Sequence, residues 1–257
     1  MIILYKQNEI YFEVSGAGKP VVLLHGFLEN RTMWNDLIEE FSNEYQFINI
    51  DLFGHGKTGK VGYIHSMEQM AEAVNLVLQK LNINMATFLG HSMGGYVALA
   101  FAEHFPDKTE KLLLINSTAE ADNEERKKNR DRAKRLIKQN KEAFVSMAIK
   151  NLFAEETKET FPEEIKKMVS EAKDIPTENI IASIEGLKNR KDRTEILKNY
   201  SGKKILLAGK HDPVVPFESV EKLSAETNSE LITFPNGHMS WLENKKDFFK
   251  VLEELLK

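Results

Sequence analysis

The sequence predicts an α/β fold, a mostly parallel central sheet flanked by helices, with a helical segment inserted into it. Three observations carry that expectation. Short runs of continuous apolar residues alternate along the chain with stretches of helical period. One such run leads into Gly90-His91-Ser92-Met93-Gly94, a glycine-flanked serine with a strand before it and a helix after it. The alternation is broken once, between Thr118 and Tyr200, by a segment rich in charges of both signs and poor in strand-like runs.

Ile2–Tyr5 and Ile10–Val14 read as strands joined through the polar Lys6-Gln7-Asn8-Glu9. Ser15 to Pro20 breaks the pattern, and Val21-Val22-Leu23-Leu24 then has the unbroken apolar character of a strand buried on both faces. Arg31 to Phe41 is amphipathic, and Gln46 to Ile50 is strand-like. Ser66 opens a helix, with Gln69 three residues on as its capping-box partner and Met70, Val74, Val77, Leu78 and Leu81 as its apolar face. Met85 to Leu89 is the strand before the serine, Gly95 to His104 the helix after it, and Lys111 to Ile115 a further buried strand. Within the interruption, Arg126–Gln139, Lys141–Phe153, Glu163–Ala172 and Thr177–Leu187 read as short helices punctuated by Pro162 and Pro176. The alternation resumes with strand Ile205–Ala208, helix Phe217–Ala225, strand Leu231–Phe234 and helix Lys246–Leu256. The expected organisation is a core of residues 1–117 and 201–257, with residues 118–200 as a helical cap.

At 257 residues the chain can bury one sizeable core. Its 35 Lys and Arg against 39 Asp and Glu make no electrostatic case for a nucleic-acid or membrane-surface partner. The absence of cysteine excludes disulfides, thiolate nucleophiles and zinc–thiolate sites, and suits a reducing compartment. Met1 to Lys6 offers too few apolar residues for a signal-peptide core, and no run reaches the roughly 20 apolar residues of a membrane span. The expectation is a soluble cytoplasmic protein without metal or cofactor, its oligomeric state open.

A serine pushed out of a tight strand-to-helix turn is crowded by the residues two before and two after it, which must lack Cβ or nearly so. Gly90 and Gly94 meet that demand. The turn also leaves the Met93 amide at a helix N-terminus, an orphan donor with positive dipole character. Serine needs a base, and the base an orienting carboxylate, in the chain order serine, acid, histidine, each beyond a strand end. Asp212 follows the strand 205–208, and His238 follows 231–234. Taken singly, Asp212 before Pro213 also fits a turn cap, and His238 a loop histidine; their order after the last two strands favours the catalytic reading. The rival acid position, after Ile115, holds Asn116-Ser117 and no carboxylate. A second oxyanion donor is expected from His25-Gly26-Phe27-Leu28, with the Phe27 amide the natural candidate and His25 structural.

These residues give the chain a family resemblance. Leu24-His25-Gly26-Phe27, Asp51-Leu52-Phe53-Gly54-His55-Gly56, Gly90-His91-Ser92-Met93-Gly94-Gly95, Gly209-Lys210-His211-Asp212-Pro213 and Gly237-His238-Met239 resemble the α/β-hydrolase superfamily, in its branch of small esterases with a helical cap. The resemblance implies a Ser92–Asp212–His238 triad, an oxyanion hole of the Phe27 and Met93 amides, and a structural role for Asp51–Gly56. Serine at the elbow sets the chain apart from the epoxide hydrolases and haloalkane dehalogenases of this fold. Phe27-Leu28-Glu29-Asn30 departs from the meta-cleavage carbon–carbon hydrolases. The chain is also similar to the menaquinone-pathway lyase (SHCHC synthase) in Gly54-His55-Gly56-Lys57-Thr58 and Glu124-Glu125-Arg126-Lys127. That lyase binds a substrate carboxylate with an arginine where this chain has Tyr96. The expected function is therefore a serine carboxylesterase acting on small-to-medium uncharged esters, with Tyr96, Met239 and Trp241 as candidate pocket residues. The lyase and a catalytically silent ligand-binding relative are the alternatives.

Overall fold

The computed structural model describes all residues, Met1–Lys257. Along the central strands, alternate side chains go to opposite faces, and both faces are apolar. Val22, Leu24, Ile48, Ile50, Phe88, Leu112, Leu114 and Leu206 enter one core cluster, while Val21, Leu23, Phe47, Leu89, Leu113, Ile115, Ile205 and Leu207 enter another. That double burial is why these segments read as unbroken apolar runs.

The strands are β1 (Ile2–Tyr5), β2 (Asn8–Ser15), β3 (Lys19–Leu24), β4 (Tyr45–Ile50), β5 (Ala86–His91), β6 (Thr109–Ile115), β7 (Lys203–Gly209) and β8 (Glu230–Phe234). They form one sheet in the order β1-β2-β4-β3-β5-β6-β7-β8. β1 and β2 pair antiparallel, β2 meets β4 antiparallel, and all pairs from β4 through β8 are parallel. Strand order reverses at β3, between β4 and β5, the place where open α/β sheets form a crevice at the carboxyl ends of their strands.

The helices around the sheet are α1 (Asn35–Phe41), α2 (Met67–Lys80), α3 (Met93–His104), α9 (Phe217–Thr227) and α11 (Lys245–Leu256). Between β6 and β7 lie α4 (Glu124–Gln139), α5 (Lys141–Lys150), α6 (Pro162–Lys173), α7 (Thr177–Lys188) and α8 (Thr194–Asn199), and α10 (Ser240–Glu243) follows β8. Ile137, Val145, Ile149, Phe153, Ile165, Ile180 and Ile184 give this insertion an apolar cluster of its own, which also takes in Leu28 and Met239 from the loops after β3 and β8. Its far end is tied down by buried Arg193, whose amide donates to Ala119 O (2.8 Å), Nε to Glu103 (2.9 Å) and Nη2 to Glu68 (2.6 Å). No helix is long and apolar enough to cross a membrane.

Several local features differ from the sequence expectation. The first hairpin closes through two residues, Lys6 and Gln7, at φ 46° and 68°, not through four. Positive φ at both positions is the mirror-type turn that matches strand twist, and neither residue advertises it. Residues Arg31–Trp34 form a 3₁₀ turn ahead of α1, capped by Asn30. Helices α8 and α10 were not expected; at six and four residues they are too short to show a period. Ser66 does cap α2, its Oγ accepting the Gln69 amide at 3.2 Å. Replacing it, Ser66→Ala, should cost about 1 kcal/mol, read as a lowered urea midpoint at unchanged m-value.

Candidate active site

The loops after β3, β5, β7 and β8 meet at the carboxyl edge of the sheet. Ser92 stands between β5 and α3 with φ 49° and ψ −112°, in a region that side-chain-bearing residues rarely occupy. The turn closes because its neighbours have no Cβ: one on Gly90 would strike the Gly94 carbonyl, one on Gly94 the Leu24 carbonyl, and one on Gly95 the Ser117 hydroxyl. Hydrogen bonds hold the rest. The Ser92 amide donates to Ile115 O (2.9 Å), and its carbonyl accepts from the Gly95 amide (3.0 Å) and Ser117 Oγ (2.8 Å). Ser92 is partly exposed, and Met93 begins α3, where its N–H has no intrahelical acceptor.

His238 and Asp212 come together as the sequence order suggests. His238 Nδ1 lies 2.8 Å from Asp212 Oδ2, with both side chains buried. Asp212 is held in turn by the amides of Val214 (2.8 Å) and Val215 (2.9 Å) on Oδ1, and by Asn116 Nδ2 (3.1 Å) on Oδ2. Burial works against its ionisation, but His238 and the two amides outweigh burial and hold its pKa below the ordinary carboxylate value. An ionised Asp212 can only accept, so Nδ1 carries the imidazole proton. In the neutral ring Nε2 is then a lone-pair acceptor, and it is buried with no hydrogen-bond partner in the chain. Asn116, where the sequence offered no rival acid, thus serves the acid itself, and also bonds the Gly237 carbonyl at 3.2 Å.

In the loop after β3, the Gly26 amide is taken by Glu29 Oε2 (2.7 Å) and the Leu28 amide by His55 Nε2 (3.2 Å), while the Phe27 amide between them has no partner. Leu28 sits at φ 65°, which turns the loop sharply there. His25 and His55 are structural: each Nδ1 donates to a carbonyl, of Gly26 (2.7 Å) and Phe53 (2.9 Å), and each Nε2 accepts an amide. Asp51 is fully buried and accepts from the amides of Arg31 and Lys57 and from the Arg31 guanidinium. A Cβ on Gly56, at φ 53°, would collide with its carboxylate.

The three candidate pocket residues fall in different places. Tyr96 is 5% exposed and packs in the main core, its ring under the Arg190 guanidinium at 4.3 Å. The partner of that cation, Asp122 (2.5 Å), is shared with Arg130 (3.0 Å). Met239 is wholly buried in the insertion cluster. Trp241 lines a cavity of about 190 Å³ with Leu28, Glu29, Met33 and Met168.

Two carboxylates of the site carry no sequence signal. Glu243, in short α10, accepts four donors: the amides of Gly237 (3.0 Å) and Met239 (3.2 Å) flanking His238, and the Ala154 amide (3.0 Å) and Thr157 hydroxyl (2.5 Å) of the insertion. The His238 amide adds a bond to Leu152 O (2.9 Å). Glu29, which the sequence uses only to mark a departure from one branch, contacts both Gly26 and the elbow residue His91.

With this geometry in view, the chain can be set beside known proteins. A sequence profile of the alpha/beta hydrolase fold family matches residues 19–245. The chain belongs to that family. It is 32% identical to a thermophilic esterase from Thermogutta terrifontis, determined with malate bound, with a TM-score of 0.91 over 97% of this chain and 93% of that one. It is 28% identical to an esterase from Exiguobacterium antarcticum, with a TM-score of 0.84 over 96% and 95%. An uncharacterized protein of Mycobacterium tuberculosis is 34% identical over 106 residues, 41% of this chain but only 31% of that protein's length.

Two outcomes follow for this alpha/beta hydrolase. Glu243→Ala leaves four buried donors without their acceptor and should destabilise the fold by about 3 kcal/mol or more, measured by urea unfolding. Burial pushes the His25 pKa down to about 4, and those of His55 and His65 down to about 3. Unfolding frees these rings to protonate near 6.5, so the stability they contribute is present above that pH and lost as pH falls toward 4. Each proton taken up contributes a slope of about 1.4 kcal/mol per pH unit. Urea titrations should show stability falling as the pH drops from about 7 to 5, with the proton uptake on unfolding rising toward three near pH 5.

Proposed function

We propose that the protein is a serine carboxylesterase acting on small-to-medium uncharged esters. The observation that carries this reading is the state of His238, with Nδ1 committed to Asp212 and Nε2 buried without a partner in the chain, together with a serine held in strained backbone geometry at the turn between β5 and α3. As the Ser92 hydroxyl attacks the ester carbonyl carbon, Nε2 takes its proton and Asp212 stabilises the imidazolium that forms. The carbonyl oxygen, now an oxyanion, is met by the Phe27 and Met93 amides. Collapse of the adduct breaks the ester C–O bond, His238 returns the proton to the leaving alkoxide, and Ser92 is left acylated. Water then attacks the acyl-enzyme, gives a proton to His238, and the acid leaves as Ser92 regains its hydrogen.

Leu28, Met239 and Trp241, apolar residues of the loops that carry the oxyanion donor and the base, support an uncharged substrate. The helical insertion acts as the lid, because Leu28 and Met239, neighbours of the oxyanion donor and the base, are packed into its cluster. The resemblance to two esterases adds to this reading. Ser92→Ala should lower hydrolysis of a short p-nitrophenyl ester by about 10³-fold or more at an almost unchanged melting temperature. Hydrolysis retained at the wild-type rate would overturn the assignment.

A further inference from the structure

His91, the residue before the serine, faces something none of the other buried histidines faces. His25, His55 and His65 each accept a backbone amide at Nε2, from Leu52, Leu28 and Val61, and are thereby neutral rings. His91 meets an acceptor at both nitrogens. Nε2 lies 2.9 Å from the carbonyl oxygen of His238, and Nδ1 lies 2.8 Å from Glu29 Oε2. A carbonyl oxygen only accepts, so Nε2 carries a proton. Glu29 Oε2 already accepts the Gly26 amide at 2.7 Å, as a carboxylate oxygen does, which places a second proton on Nδ1. Both side chains are buried, 1% and 3% exposed, and no other cation touches the carboxylate.

We propose that His91 is a permanent imidazolium paired with Glu29, and that the pair is the positioning element that fixes the oxyanion loop and the base loop around the Ser92 turn. Glu29 holds the loop after β3 through the Gly26 amide, one residue before the Phe27 donor. His91 holds the loop after β8 through the carbonyl of His238, the base itself. The missing side chain of Gly26 makes the room: a Cβ there would collide with Glu29 Oε2 and lie 2.8 Å from His91 Nδ1. The other titratable groups near the pair are His25, neutral through its Leu52 bond, His238, whose ring centre is 5.0 Å away, and Asp212 beyond it. Burial pushes the His91 pKa down, but Glu29 outweighs burial and raises it above the ordinary value. Burial likewise opposes ionisation of Glu29, and His91 reverses the balance and lowers its pKa. Both shifts favour the charged pair.

The role in catalysis rests on the triad reading above; the charge on His91 does not. Nitrogen-15 spectra of histidine-labelled wild-type enzyme at about pH 8 test the charge. One of the seven imidazoles should keep protons on both nitrogens, and Glu29→Ala, which removes both the counterion and the acceptor at Nδ1, should return it to a neutral ring. Seven neutral rings at that pH would overturn the proposal. Kinetics test the positioning. Glu29→Ala should lower kcat by about tenfold to a hundredfold with KM within about twofold. Glu29→Gln, whose amide oxygen in the Oε2 position keeps the acceptor that Gly26 and His91 share, should recover part of that loss. Wild-type kcat in Glu29→Ala, or no recovery in a folded Glu29→Gln, would overturn the positioning role. Hydrolysis surviving Ser92→Ala while the doubly protonated signal persists would overturn it too, and would mark the triad reading as the part that failed.

Discussion

The backbone at Ser92, at φ 49° and ψ −112°, is the constraint around which the carboxyl edge of the sheet is arranged. Such a residue costs on the order of 1–3 kcal/mol and persists only when its surroundings over-determine it. Here they do. Gly90, Gly94 and Gly95 remove the side-chain atoms that would strike Gly94, Leu24 and Ser117, and three hydrogen bonds tie the turn to β6 and α3. Because the Leu24 carbonyl is one of the atoms so closely approached, the loop after β3 starts where the turn allows it. The site is therefore set by strand register first and by side chains second.

Buried carboxylates then do what regular hydrogen bonding cannot do for irregular loops. Asp51, Asp212, Glu29 and Glu243 each gather donors from segments distant in the chain. A bond to a charged group contributes about 1.5–3 kcal/mol, which offsets the cost of burying the charge only where several donors converge. Asp51, Asp212 and Glu243 show that convergence, while Glu29 takes its two donors on one oxygen. Three of the four act on segments of the candidate site: Asp212 on the His238 ring, Glu29 on the loop carrying Phe27, Glu243 on the amides either side of His238. Glu243 also reaches Ala154 and Thr157, so the base loop and the insertion share one acceptor. The insertion and the loop carrying His238 are thereby tied to each other.

Much of the architecture was legible because burial on both faces of the central strands leaves a strong apolar signal. The serine turn was legible because its steric demand has a glycine signature. Asp212 and His238 were legible through their order beyond the last two strands, and they do meet. The supporting residues were not. Glu29 and His91 are 62 residues apart, and Glu243 and Ala154 are 89 apart, with nothing periodic linking either pair. The space left by the missing side chain of Gly26 is filled by Glu29 and His91, which no local pattern signals. Tyr96 and Met239 drew attention by adjacency to the motifs, but α3 turns Tyr96 into the core and the insertion buries Met239. Proximity in sequence says little about which way a side chain faces.

Covalent labelling by a fluorophosphonate, followed by mass spectrometry of the digested protein, tests most directly whether this edge of the sheet holds an activated serine. One adduct per chain on the peptide carrying Ser92, formed in step with the loss of ester hydrolysis, is the predicted result. Loss of hydrolysis with Ser92 unmodified, or hydrolysis that persists after Ser92 is fully modified, would contradict it.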